Sequence, residues 1–171
     1  MKTRGFTLAE LLVFTALFGV ALVGTAYFSL PMLGRERARS AAYDVQSFLR
    51  LARIEALSRN RDCRFVIDSA NRTLQVLDSN GTSTTTDDQL LYNRVLPRTI
   101  GFARPDAGAP ITFSSLGGTS YGISFKSDGA VDGSTGEVVL FGGDHYVKLE
   151  VFAAGGTQKM HWNGASWQTG A

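Results

Sequence analysis

Glu10 is the only charged side chain between Arg4 and Arg35. It stands at the head of Leu11 to Leu30, twenty uncharged and mostly apolar residues. That is about the ~20 residues a helix needs to cross a hydrocarbon core ~30 Å thick. An ionised acid at the centre of such a helix costs roughly 2.5–3.5 kcal/mol to insert, and less near an interface, so Glu10 needs a partner or a task. The chemistry open to it is charge compensation, because a buried charge matched by a hydrogen-bonded cation approaches neutrality and can specify register.

The other reactive residue types are scattered. His145 and His161 are the only histidines, and neither falls in a recognisable nucleophile-and-base arrangement. No phosphate-cradling loop or dinucleotide fingerprint is present. Cys63 is the single cysteine, so no intrachain disulfide can form, and it reads as a small buried residue at a strand start. Asp128, Asp132 and Glu137 lie in a Gly-rich stretch and could offer oxygens to Ca²⁺. Their spacing departs from an EF-hand loop, and turn-forming Asp-Gly pairs account for them more simply. Trp162 and Trp167 could form a stacking or protein-contact surface, with packing over a sheet the plainer role. The expectation is a protein without catalytic residues, metal or cofactor.

The elements that must position Glu10 begin with the apolar run. Lys2 and Arg4 precede it without acids, so the positive-inside bias leaves residues 1–5 in the cytoplasm and the rest of the chain outside. A cleaved secretory signal has a shorter apolar core, of 7–15 residues. Beyond Ala38 the positions Ala41, Ala42, Val45, Phe48, Leu49, Ala52 and Ala56 recur at spacings of three and four, which marks an amphipathic helix with one buried stripe. Taken as one element over 6–58, with a membrane-spanning part at 11–30, the helix would extend roughly 80 Å. Pro31 predicts a bend at the outer end of the span.

After Asn60 the pattern becomes strand-like. Short β-rich runs are expected at 63–67, 73–77, 99–102, 111–113, 121–125, 137–141, 146–152 and 158–162, with a mobile polar loop over 78–88. The chain thus reads as α+β: a long N-terminal helix followed, over 59–171, by an antiparallel, sandwich-like all-β domain outside the cytoplasm. About 110 residues are enough for a single core.

Gly5-Phe-Thr-Leu-Ala-Glu-Leu-Leu12, behind its short basic leader, resembles the class III leader of type IV pilins and type II secretion pseudopilins. The resemblance implies that residues 1–5 are a prepilin leader. A prepilin peptidase would cut between Gly5 and Phe6 and methylate the new N-terminus at Phe6. It further implies that Glu10 pairs with the N-terminal amine of a neighbouring subunit. Ala52 to Asn60, Phe125-x-x-x-Gly129 and Val138-Val-Leu140 extend the likeness to the GspH/FimT family of minor pseudopilins and pilins.

A member of that family would be a non-catalytic subunit of a type II secretion pseudopilus or a type IV pilus, in the tip complex that initiates assembly. Its partners would be other pilins, the prepilin peptidase, the inner-membrane assembly platform and the membrane. It would sit in the inner membrane as a single-pass protein, its N-terminus cytoplasmic and its C-terminal domain periplasmic, before entering the filament. Two alternatives are a DNA-binding minor pilin for DNA uptake and a membrane-anchored hydrolase. DNA-uptake relatives often carry Gly-Arg-x-Arg near the C-terminus, where this chain reads Gly155-Gly-Thr-Gln-Lys159 and has no Arg after Arg104. The whole chain has 17 cations against 15 acids. Loss of Lys2 and Arg4 with the leader leaves 15 of each, without a global pull on nucleic acid.

Overall fold

The computed structural model describes residues 7–169 apart from Ser83, and leaves aside the side chains of residues 23–32. The chain divides into two units, Met1–Leu33 and Gly34–Ala171. Helix α1 (Leu8–Arg59) begins in the first and ends in the second. In the first unit, Leu8, Leu11, Leu12, Val13, Phe14, Leu17, Phe18, Val20 and Leu22 are all exposed, so this part of the helix is apolar all round. Among the described residues no helix is long and apolar enough to cross a membrane. The expected span 11–30 includes 23–30, and these, like Pro31 at the expected bend, are helical in backbone with their side chains outside the description.

In the second unit, the expected stripe is the buried face of α1. Ala38, Ala41, Ala42, Val45, Leu49, Ala52 and Ala56 are at most 1% exposed, and Phe48 packs against them from the edge. Alanine at five of these seven places lets the helix lie close to the sheets. The helix stops by a change of backbone hand at Asn60, whose φ is +51°. Arg61 N–H then donates to the Ala56 carbonyl at 3.2 Å, the six-to-one bond of a left-handed C-cap.

The strands form two antiparallel sheets. The first runs β3 (Gln89–Val95), β2 (Thr73–Asp78), β1 (Cys63–Asp68), β6 (Ser120–Phe125), β5 (Ser114–Gly117), with β7 (Val131–Asp132) paired to β6. The second runs β11 (Trp167–Thr169), β10 (Thr157–Trp162), β9 (His145–Val151), β8 (Gly136–Gly142), β4 (Gly101–Phe102). Phe65, Leu74, Val76, Ile123 and Phe125 of the first sheet share one core with Val138, Leu140, Leu149 and Val151 of the second and with the helix stripe. Along β9, Val147, Leu149 and Val151 point inward while Lys148 and Glu150 stay partly exposed, the alternation expected of a half-buried strand.

One expected strand needs correction. Ile111 makes only an isolated bridge to Val138, so 111–113 is not a strand. The loop over 78–88 is internally bonded: Thr82 Oγ1 donates to both Asp87 oxygens at 2.8 and 2.9 Å, and Thr84 Oγ1 to one of them at 2.8 Å. Its far end is tied down where the Arg64 guanidinium pairs with Asp88, both side chains nearly sealed from solvent.

Cys63 is fully buried at the start of β1, and burial pushes its thiol up to about 11. In the unfolded chain the thiol ionises near ~8.5, so alkaline pH favours unfolding. This contribution is intact below about pH 8.5 and is lost as the pH rises towards 11. At about pH 8 the native chain should therefore resist iodoacetamide, and denaturant should release rapid labelling. Native labelling at the denatured rate would show that the site opens.

Candidate functional site

The side chain of Glu10 is engaged in capping its own helix. Thr7 N–H and Thr7 Oγ1 both donate to Glu10 Oε2 at 3.0 Å, and Glu10 N–H donates to Thr7 Oγ1 at 3.3 Å. This reciprocal pair is a capping box: two of the backbone donors left over at a helix start are satisfied by Thr7 and Glu10 together. The Thr-x-x-Glu spacing was visible in the chain and points to the cap directly. A carboxylate in the first turn also faces the positive end of the helix dipole. Both of the bonds from Thr7 to the carboxylate use the one oxygen, Oε2. Gly5 and Phe6, the expected cleavage and methylation residues, lie outside the described residues.

The acids considered for Ca²⁺ do not converge. Asp128 accepts from Ala130 N–H at 2.9 Å in its own turn, and Asp132 pairs with Lys126 at 3.2 Å. Glu137 is held by Arg104 and by Lys148. Among the described residues no group of three His, Cys, Asp or Glu side chains is placed to hold a metal ion.

Glu137 instead belongs to an ion network over the second sheet. Arg104 donates from Nε and Nη2 to the two oxygens of Asp106 at 2.9 and 3.0 Å, and also to Glu137. Lys148 reaches Glu137 Oε2 at 3.2 Å, and Trp167 Nε1 donates to Asp106 Oδ2 at 3.0 Å. The bidentate Arg104, and then the Trp167 indole, hold the Asp106 carboxyl far below the usual carboxylate range. Trp167 in turn stands across β10–β11 from Trp162, ring centroids 5.3 Å apart in an edge-on arrangement. Both tryptophans thus cover the sheet, and Trp167 ties the loop carrying Asp106 to it.

A feature that sequence reading missed lies beside Trp162. A groove of about 560 Å³ is lined by Arg35 and Arg39 of α1 and by Lys159 of β10. His145, Tyr146, His161 and Trp162 complete the walls that matter chemically, and no carboxylate lines it among the described residues. Lys159 Nζ sits 4.0 Å from the ring centre of Tyr43, a helix residue one turn beyond Arg39. Gln46 Nε2 donates to Thr157 Oγ1 at 3.1 Å and fixes β10 against the next turn. Tyr43 reports the local field: Lys159 first, then Arg39, holds its phenol below the ordinary range.

The family model "Type II transport protein GspH" matches residues 41–155. In fold, the chain is similar to the minor pseudopilin EpsH of the type 2 secretion system of Vibrio cholerae, with 19% identity and a TM-score of 0.50, covering 72% of this chain and 95% of that one. It is likewise similar to the type IV minor pilin FimU of Pseudomonas aeruginosa, with 17% identity and a TM-score of 0.53, covering 78% and 94%. A search of curated protein sequences gave no match.

Proposed function

The chain belongs to the GspH family, and from that premise we propose that it is a non-catalytic minor subunit of a type II secretion pseudopilus or type IV pilus, placed in the assembly-initiating tip complex. In this reading residues 11–30 anchor the chain in the inner membrane, the second unit faces the periplasm, and a prepilin peptidase removes residues 1–5. The observation that carries it is the exposed, all-round apolar start of α1 with Glu10 as its one charge. Such a surface must be covered, by lipid before assembly and by neighbouring helices within a filament. Glu10 then meets the amine of Phe6 from a neighbour.

Capping and amine pairing can be separated, because glutamine serves in a capping box as well as glutamate does but carries no charge. Glu10→Gln should insert normally yet leave a neighbour's amine unpaired, at a cost of about 3–5 kcal/mol in the buried filament core. Co-purification with the other filament subunits should fall more than about a hundredfold. Wild-type incorporation of Glu10→Gln, with failure of Glu10→Ala alone, would assign Glu10 to capping and remove the registry role. Mass spectrometry of the protein from its host should show methylated Phe6 as the first residue.

A further inference from the structure

A second groove lies on the first sheet, wholly within the second unit, and neither the core nor filament assembly uses it. Side chains alternate along a strand, so Arg64, Leu77 and Ser124, paired across β1, β2 and β6, sit on the face opposite Phe65 and the core. Strand β5 covers the outer edge of β6 as far as Gly122, and β7 takes over from Ser124. Between them a notch is left at Ile123, lined by Ser114 beside β5 and by Asp132 and Ser134 beside β7. Asp62 and Ser79, just outside the ends of β1 and β2, complete it. Its volume of about 540 Å³ falls within the ~300–1,000 Å³ usual for small-molecule sites.

Most of the charge in these walls is matched inside the protein. Arg64 pairs with Asp88 and donates from Nε to Ser124 Oγ at 3.3 Å, and Asp132 pairs with Lys126. An anion would face the carboxylates of Asp62 and Asp132, and no three His, Cys, Asp or Glu side chains among the described residues are placed for a metal ion. A peptide strand finds no free length of edge, because β5 and β7 hold β6 on both sides of the notch. Hydroxyl chemistry is what the walls offer. Ser124 Oγ accepts from Arg64 and keeps its O–H as a donor, while Ser79 Oγ donates to the Asp62 carbonyl at 2.6 Å and keeps its lone pairs as acceptors. The Asp62 carboxylate has no hydrogen bond or ion pair of its own among the described residues. A carboxylate beside such donors and acceptors matches neighbouring hydroxyls on one ring, each of which both gives and takes a hydrogen bond. Leu116 adds an apolar patch for ring C–H groups: it lies over Gly122, where an added Cβ would come within 2.7 Å of Leu116 Cδ1. We propose that this notch binds a short neutral saccharide, Asp62 accepting from two neighbouring sugar hydroxyls and Ser114, Ser124 and Ser134 bonding to the rest of the ring.

The test uses the full chain in phosphatidylcholine nanodiscs, free of glucoside and maltoside detergents, which are themselves saccharides. Chitotriose and maltotriose are titrated while the Leu116 methyl signals are followed by NMR, with those of Leu140, fully buried in the core, as the reference. At least one of the two sugars should shift Leu116 and leave Leu140 unmoved, with half-saturation at about 1 mM. Asp62→Asn keeps the side-chain volume and the backbone carbonyl that Ser79 uses, and should weaken binding about tenfold through loss of charge-assisted hydrogen bonds. Ser134→Ala, at an exposed position, should weaken it about threefold. Melting temperatures equal to that of the parent chain show the variants folded, and where Asp62→Asn melts early, Ser134→Ala decides. No shift from either sugar up to about 10 mM overturns the proposal. So does unchanged affinity in both variants, or a Leu116 shift from calcium chloride or sodium phosphate at about a tenth of the sugar concentration, which would make the notch an ion site.

Discussion

Phe65→Ala is expected to cost about 3–5 kcal/mol of unfolding free energy, a large share of the 5–15 kcal/mol that holds a typical domain together. Phe65 is fully buried in β1, the strand with a neighbour on each side, where it faces Val76 of β2 and Ile123 of β6. Its ring meets that of Phe113 edge-on, centroids 6.3 Å apart at 82°. The truncation therefore removes apolar burial, opens a cavity between strands fixed from both sides, and deletes an aromatic pair. Phe65→Leu keeps most of the volume and should cost less than about 1.5 kcal/mol. Urea denaturation followed by Trp162 and Trp167 fluorescence measures both. An alanine loss below about 1 kcal/mol would mean that the sheet can close over the gap.

What could be read from the chain was periodic, and what could not was either irregular or assembled from distant residues. The helix stripe from Ala38 to Ala56 repeats often enough for burial to follow from spacing, and β9 announces its inward face by strict alternation. Strand β3 escaped notice because Gln89–Val95 has Leu90, Leu91 and Tyr92 in succession, and nearly all of it is exposed at the sheet edge. Its pairing with β2, including a register shift between Val76 and Leu77, is imposed by the partner strand. Strand β11 is only three residues, held by Trp167 through Asp106, a residue 61 positions away. Isoleucine 111 and Phe113 are buried, as their apolar character predicts, yet they enter the core from a loop, so burial did not imply a ladder.

The sites divide along the same line. Glu10 stood out because charge is costly in apolar surroundings, a local argument, and Thr7, three residues away, supplies its structural partner. The basic groove had no local signal. Arg35 and Arg39 read as the solvated face of a helix and Lys159 as a lone charge in a strand, and only the packing of β10 against α1 brings them to one volume. Asp128, Asp132 and Glu137 show the converse: close in sequence, they turn to three separate sets of partners.

The second large effect is expected at Gly155, where the two sheets are joined through their turns. Val131 N–H of the first sheet donates to the Ala153 carbonyl at 2.9 Å, and the turn after β9 is closed by Gly155 N–H on the Phe152 carbonyl at 2.7 Å. Gly155 has φ +76°, and an added Cβ would collide with the Gly129 carbonyl oxygen while pressing on the Arg53 side chain. The obstacle is backbone, fixed in its own turn by Gly129 N–H on the Lys126 carbonyl at 2.8 Å, so a rotamer change cannot relieve it. Gly155→Ala thus combines about 1–2 kcal/mol of left-handed strain with a further 1–3 kcal/mol of overpacking. Gly118 isolates the first contribution, since its φ is +58° and nothing lies within 4 Å of an added Cβ. Gly118→Ala should lose only about 1–2 kcal/mol, and Gly155→Ala about 2–5 kcal/mol, in the same denaturation experiment. Equal losses at the two positions would mean that the β6–β7 and β9–β10 turns can part without cost, and that the sheets are held together by the core alone.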